Sequence, residues 1–258
     1  MQRVTVVKIG GNVIDNEALL AQFLDDFNAL PGAKILIHGG GAIASKISKG
    51  LGIEVTMHQG RRVTDARTLE VVMMTYAGLI GKRIVAALQS RGCNALGMSG
   101  ADGNLLKAKR REANPIDWGF VGDVIPDSVN TELLVSLLNQ GIVPVVCALT
   151  HDGEGSMLNT NADTMASTLA VAISKEFKSR LLYCFEKRGV LMDADDDDSV
   201  IPLINRENYA QLLGQGVVNG GMIPKLDNAF AALESGVEEV VIKHAENLGN
   251  DTQTLIIL

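Results

Sequence analysis

Lys8 interrupts the apolar stretch Val4 to Ile9 one residue before its end, and Gly10-Gly11 follows at once. Glycines between a strand and a helix let the backbone approach an anion closely, while the helix start supplies free N–H groups and a partial positive charge. The carboxyl end of a strand is also where open α/β sheets place their ligands. The arrangement returns at His38-Gly39-Gly40-Gly41 behind a second apolar run, so two loops are suited to a phosphate or a carboxylate. Lys225, just after Gly220-Gly221-Met222-Ile223-Pro224, is a second cation beside glycines in a segment with few other charges. Asn159-Thr160-Asn161-Ala162-Asp163 lies between a buried strand and a helix, where its side chains either cap the helix or orient a ligand.

Other chemistries lack their residues. Neither glycine loop is followed by Gly-Lys-Ser or Gly-Lys-Thr, and neither gives G-x-G-x-x-G with an acidic residue about 20 positions on, which argues against a P-loop NTPase and a Rossmann dehydrogenase. His38, His58, His151 and His244 are scattered without H-E-x-x-H, and no G-x-S-x-G is present. Cys93, Cys147 and Cys184 stand too far apart for a disulfide framework or a structural zinc site and are expected as small buried apolar residues. A net charge of −7 opposes the basic surface that nucleic-acid binding needs. Anion loops and isolated lysines without a nucleophile match phosphoryl transfer, in which the protein mainly positions groups and offsets charge.

These residues need a scaffold, and 258 residues with 47% hydrophobic and 21% charged side chains provide a sizeable core while excluding many small domains. Only 4% are aromatic, which suits a parallel sheet of aliphatic strands covered by helices. Short apolar runs alternate with segments of helical period, the pattern of βαβ units. The opening strand leads to a helix capped by Asp15 and stopped at Pro31-Gly32, then to a strand over 34–37 and a helix after the second glycine loop. Thr64 or Asp65 begins a long helix with Leu69, Val72, Met73, Tyr76, Leu79, Ile80, Ile84 and Leu88, whose stripe suits a subunit interface as well as the core. Hairpins are expected from Cys93 to about Val124, a helix over 130–140, a buried strand over 142–149, a helix over 164–174 and a strand over 181–185. The run Asp193 to Asp198 reads as a solvated loop, followed by helices near 205–213 and 224–235 and strands near Val240 and Leu255. The first apolar stretch is too short for a signal peptide, and none approaches the ~18 uninterrupted apolar residues of a membrane span, so a cytoplasmic protein without a membrane partner is expected.

Taken in order, Lys8-Ile9-Gly10-Gly11, His38-Gly39-Gly40-Gly41, Gly60-Arg61-Arg62-Val63-Thr64-Asp65, Gly119-Phe120-Val121-Gly122, Asn159-Thr160-Asn161-Ala162-Asp163 and Gly221-Met222-Ile223-Pro224-Lys225 form a specific combination. On it the chain resembles the amino acid kinase family over nearly its whole length. The Arg62 segment looks like that of the members acting on N-acetylglutamate, not on aspartate, uridylate or carbamate. The resemblance implies a three-layer αβα sandwich around a mainly parallel open sheet of about eight strands. It also implies an N-terminal lobe, residues 1–178, for the acylglutamate and dimerisation, and a C-terminal lobe, residues 179–258, for ATP. The implied reaction is ATP-dependent phosphorylation of the γ-carboxylate of N-acetyl-L-glutamate in arginine biosynthesis, by a homodimer, with Mg²⁺ carried by the nucleotide. By the same resemblance Lys8 and Lys225 stabilise the transferring phosphoryl group, Asp163 holds the two lysines, and Gly11 and Gly40 donate backbone N–H groups to it. Gly40, Gly41, Arg62 and Asn159 bind the acylglutamate, with Arg62 clamping a carboxylate. Glu186, Gly189, Val190, Leu191, Val217 and Asn219 contact the nucleotide. The chemistry is consistent: a γ-carboxylate is ionised at neutral pH and attacks without a general base, so electrostatic compensation is the main task.

The chain also departs from the family pattern. Glu186-Lys187-Arg188-Gly189-Val190-Leu191 stands where relatives have an Asp-Val-x-Gly-Val-like nucleotide segment, and Thr252-Gln253-Thr254-Leu255 where a Gly-Thr pair is common. No helical extension precedes the first strand, the element that accompanies hexamers and arginine feedback in relatives, so a homodimer insensitive to arginine is expected. Two alternatives are carried: the same reaction on another N-acylglutamate such as N-succinyl-L-glutamate, and a non-catalytic sensor of an amino acid or nucleotide. Retention of both lysines opposes the sensor.

Overall fold

Apolar runs that can be buried on both faces become the strands of a mainly parallel sheet, and helices with one apolar face cover it. The computed structural model describes residues 1–220 and 222–258; Gly221, half of the glycine pair before Lys225, lies outside the described residues, as does the side chain of Pro224. Strand β1 (Arg3–Ile9) leads to a short helix α1 (Gly11–Asp15) and then α2 (Glu17–Ala29). The cap of α2 is Asn16, whose side chain accepts from the Leu19 N–H, and not Asp15, because α1 already occupies the preceding residues. Next come β2 (Ala33–His38), α3 (Gly41–Gly50) and a ribbon of β3 (Met57–His58) with β4 (Arg61–Arg62), too short to leave a periodic signal.

The long apolar helix runs as α4 (Ala66–Met73), a π-helical stretch over Met74–Ile80 and α5 (Gly81–Gln89). Asp65 caps it by accepting from the Thr68 N–H at 2.7 Å. Its length and composition would allow a membrane crossing. However, Leu69, Val72, Tyr76, Ile80, Ile84 and Leu88 are buried in the core, as their spacing predicts, whereas Met73, expected on the same stripe, is exposed and Leu79 is half-buried, because both lie at the edge of the buried face.

Beyond it lie β5 (Ala95–Met98), β6 (Ala108–Arg110), β7 (Val121–Val124), α6 (Thr131–Asn139), β8 (Val143–Cys147), β9 (Leu149–His151), β10 (Met157–Thr160) and α7 (Ala162–Ile173). The chain ends with β11 (Lys178–Phe185), β12 (Leu203–Ile204), α8 (Arg206–Gly214), α9 (Met222–Glu234), β13 (Glu239–His244) and β14 (Thr254–Ile256). The expected hairpins between Cys93 and Val124 resolve differently: β5 joins the main sheet, while β6 and β7 pair antiparallel across a long connection. The expected strand over 142–149 breaks into β8 and β9, which serve different sheets.

Eight strands form the large, mainly parallel sheet in the order β12-β14-β13-β11-β1-β2-β8-β5. Two compact units are distinguished along the chain: Met1–Ile35 with Ala166–Leu258, and Leu36–Met165. In the first, β1 pairs in parallel with β11 from Arg3 opposite Lys178 to Ile9 opposite Cys184, and β11 pairs in parallel with β13. The β13–β14 pair alone there is antiparallel among the described strands. In the second, β8 lies between β2 and β5, all parallel, and a separate four-stranded sheet runs β6-β7-β10-β9.

Candidate functional site

The second unit gathers the residues expected around a carboxylate. Arg62, on the ribbon strand β4, is 9% exposed. Its Nη2 donates to the Gly41 carbonyl at 2.7 Å and to Ser45 Oγ at 2.6 Å, and Ser45 Oγ itself donates to Gly41 O at 2.9 Å. Nη1 is buried without a hydrogen-bond partner, and no carboxylate among the described residues lies within ion-pair distance of the guanidinium. A buried cation left without an anion is costly, and an incoming carboxylate is the group that would compensate it. Tyr76 Oη and Arg62 Nη2 both border Gly41, where a Cβ would lie 3.8 and 3.9 Å from them, and burial raises the Tyr76 phenol pKa.

Gly40 caps α3 and Gly41 begins it, so the first N–H groups of that helix are at this loop. Gly40 has φ +151°, and a Cβ there would lie 2.1 Å from Ile80 Cδ1, so only glycine fits. His38 holds the loop from below: its ring Nδ1 is 2.8 Å from Gly39 O, which makes Nδ1 the protonated nitrogen donating to that carbonyl. Burial lowers the His38 pKa to about 4. This histidine, set aside in the sequence as one of four scattered copies, is thus neutral and structural.

Asn159, on β10, donates from Nδ2 to Thr64 Oγ1 at 3.0 Å. Two residues on, Asn161 caps α7 by accepting from the Thr164 N–H at 2.9 Å, so the Asn159 to Asp163 segment caps a helix and also reaches Thr64. Asp163 lies in the first turn of α7.

The first unit brings the two lysines to neighbouring strand ends. Lys8 lies opposite Tyr183 in the β1–β11 register, and the Gly10 N–H continues the ladder by donating to Cys184 O at 2.9 Å. Lys225, in α9, has its ammonium 4.0 Å from the centroid of the Phe185 ring at the end of β11. Gly10 backs onto the same phenylalanine, since a Cβ on it would lie 3.4 Å from Phe185 Cβ. Phe185 is therefore the floor shared by the first glycine loop and the second lysine, a role its place in an apolar strand did not reveal. Gly11 opens α1 in free space. The cysteines behave as expected: all three are buried and none is in a disulfide, and burial pushes the thiols of Cys147 and Cys184 up to about 12.

The segment that departs from the family pattern has its own bonding. Lys187 pairs with Asp197 at 3.0 Å and Arg188 pairs with Asp198, so the two extra cations face the acidic run. Glu186 is exposed, whereas Gly189 and Val190 are buried and Leu191 is half-buried. The Val190 N–H donates to Thr254 Oγ1 at 2.8 Å, and that hydroxyl donates to Ile201 O at 2.7 Å. Gln253, in place of a glycine, accepts from the buried ammonium of Lys243 at 3.3 Å, which gives that side chain a purpose. Val217 is half-buried, and exposed Asn219 donates from Nδ2 to Gly216 O at 2.9 Å.

The sequence profile of the amino acid kinase family matches residues 3–244. The chain is 57% identical to the acetylglutamate kinase of Cytophaga hutchinsonii over 96% of this chain and 94% of that protein. It is 52% identical to the acetylglutamate kinase of Bacteroides thetaiotaomicron over 99% and 98% of the two chains. In fold it is similar to the crystal structure of N-acetylglutamate synthase from Neisseria gonorrhoeae complexed with coenzyme A and N-acetyl-glutamate, with a TM-score of 0.82, 21% identity, and coverage of 99% of this chain and 59% of that one.

Proposed function

The chain belongs to the amino acid kinase family, and we propose that it transfers the γ-phosphoryl group of ATP to the side-chain carboxylate of N-acetyl-L-glutamate, a step of arginine biosynthesis. The relatives named above carry that activity in their names over nearly their full length. Within the molecule, the observation that supports it is Arg62, a buried guanidinium with an unused Nη1 beside the second glycine loop.

In this reading Arg62 binds the α-carboxylate, Asn159 the neighbouring N–H, and Gly40 and Gly41 offer backbone N–H groups. A γ-carboxylate oxygen attacks the γ-phosphorus, the bond from that phosphorus to the bridging oxygen of ADP breaks, and the electron pair leaves with ADP. No proton is transferred. Lys8 and Lys225 offset the charge of nucleophile, phosphoryl group and leaving oxygen, Gly11 adds an N–H, and Asp163 orients the lysines. Glu186, Gly189, Val190, Leu191, Val217 and Asn219 are assigned to the nucleotide, within residues 179–258, and acylglutamate binding and dimerisation to residues 1–178. Mg²⁺ is assigned to the nucleotide phosphates. A cytoplasmic homodimer completes the proposal. Met73 and Met74, exposed on the long helix, and Leu96 on β5 are the apolar side chains available to its interface.

The test is ATP-dependent acyl-phosphate formation, trapped as the hydroxamate, with N-acetyl-L-glutamate, N-succinyl-L-glutamate, free glutamate and aspartate. Product with N-acetyl-L-glutamate is expected. Product with none of the four, alongside measurable ligand binding, would leave a sensor.

A further inference from the structure

We infer that Thr64 is a positioning residue for recognition of the N-acylglutamate, an inference that rests on the proposed function. Thr64 is fully buried between β4 and α4. Its hydroxyl accepts from Asn159 Nδ2 at 3.0 Å and reaches the Arg62 carbonyl at 3.4 Å, to which it donates. A hydroxyl has one proton and two lone pairs. With the proton directed to Arg62 O, only a lone pair faces Asn159, so the amide must turn its NH₂ to Thr64 and keep Oδ1 as an acceptor for the substrate.

The backbone of Thr64 ties together the same two ligands. Its N–H donates to Trp118 O at 3.0 Å, its carbonyl accepts from the Phe120 N–H at 2.6 Å, and Phe120 O accepts from the Asn159 N–H at 2.8 Å. Gly119 makes this possible: its φ is +69°, and a Cβ there would lie 2.1 Å from Thr64 O. Thr64 thus joins the strand that carries Arg62 to the strand that carries Asn159. It holds a guanidinium donor and an amide acceptor at a fixed spacing, which is the complement of an α-carboxylate beside an acylated amino N–H.

Thr64→Val keeps the shape and removes the hydroxyl; Thr64→Ser keeps the hydroxyl. Steady-state kinetics of both are compared with wild type, with Asn159→Ala and with the Thr64→Val/Asn159→Ala double variant. Expected for Thr64→Val is a rise of about tenfold in KM for N-acetyl-L-glutamate, the size of one neutral hydrogen bond, with the KM for ATP held within about twofold. Thr64→Ser restores the wild-type value, and adding Thr64→Val to Asn159→Ala changes nothing further. An unchanged KM for the acylglutamate, an equal rise for both substrates, or additive effects in the double variant would overturn the inference. Should Thr64→Val fail to fold in a thermal melt, Thr64→Ala read against Thr64→Ser decides by the same criteria. Wild type in the same assay separates the two failures: an inactive wild type removes the proposed function, whereas an active one with unaltered Thr64→Val removes only this role.

Discussion

Arg62 and His38 are two buried cationic or potentially cationic residues with opposite electrostatic solutions, and each gives a prediction. Arg62 spends Nη2 on Gly41 O and Ser45, while its Nη1 is buried without a hydrogen-bond partner. Arg62→Lys removes the planar fork, so KM for N-acetyl-L-glutamate is expected to rise about tenfold or more with the KM for ATP unaltered. Initial-rate measurements with each substrate varied in turn check it. His38 instead stays neutral: burial lowers its pKa from 6.5 to about 4. Between those values the unfolded chain takes up a proton that the native state resists. Stability is therefore greatest above pH 6.5 and falls as pH drops toward 4, by up to about 3 kcal/mol from this one group. His38→Asn keeps a side-chain N–H and removes the titration, so urea unfolding of the variant is expected to weaken less over that pH range. Lys8 stands out in the sequence beside its glycine pair, and Arg62 through the family resemblance of its segment. His38, Ser45 and Thr64 do not, since their roles depend on bonds such as Asn159 to Thr64, across nearly a hundred positions, that leave no local pattern.

Two glycine positions carry the elements that set the site, and their neighbours predict different costs. At Gly40 the obstacle to a Cβ is Ile80 Cδ1, the end of a flexible side chain, in addition to the positive φ. At Gly119 it is the backbone carbonyl of Thr64, which cannot rotate away. Gly119→Ala is therefore expected to lose more stability than Gly40→Ala, with both costing about 2 kcal/mol or more. Adding Ile80→Ala is expected to relieve only Gly40→Ala. Urea midpoints of the four variants provide the comparison. At this scale most of the fold could be read beforehand: β1 and β2 follow from largely apolar runs, α3 from helical spacing after a glycine loop, and α6 and α8 from spacing with an asparagine cap. The ribbon β3–β4, the short β12 and the π-helical stretch escaped because two-residue strands have no period, and a π-bonded segment keeps the composition of the helix around it.

For the molecule as a whole, metal dependence is expected to be a property of the nucleotide. Chelation is expected to abolish turnover, with Mg²⁺ restoring it, while the melting temperature of the nucleotide-free protein does not move, because the metal is proposed to enter with the nucleotide. Differential scanning fluorimetry with and without chelator checks this. The dimer proposal predicts that Met74→Glu, on the exposed side of the long helix, lowers the molar mass seen by light scattering toward that of a single chain. The central claim is that electrostatic compensation by Lys8 and Lys225 drives transfer to an already ionised carboxylate. Its most direct test is the rate of hydroxamate formation from N-acetyl-L-glutamate and ATP in wild type, Lys8→Ala and Lys225→Ala, with acylglutamate affinity measured in parallel. A fall in kcat of about 10²-fold or more is expected in each variant, with affinity for N-acetyl-L-glutamate retained. Wild-type turnover in either lysine variant would contradict it.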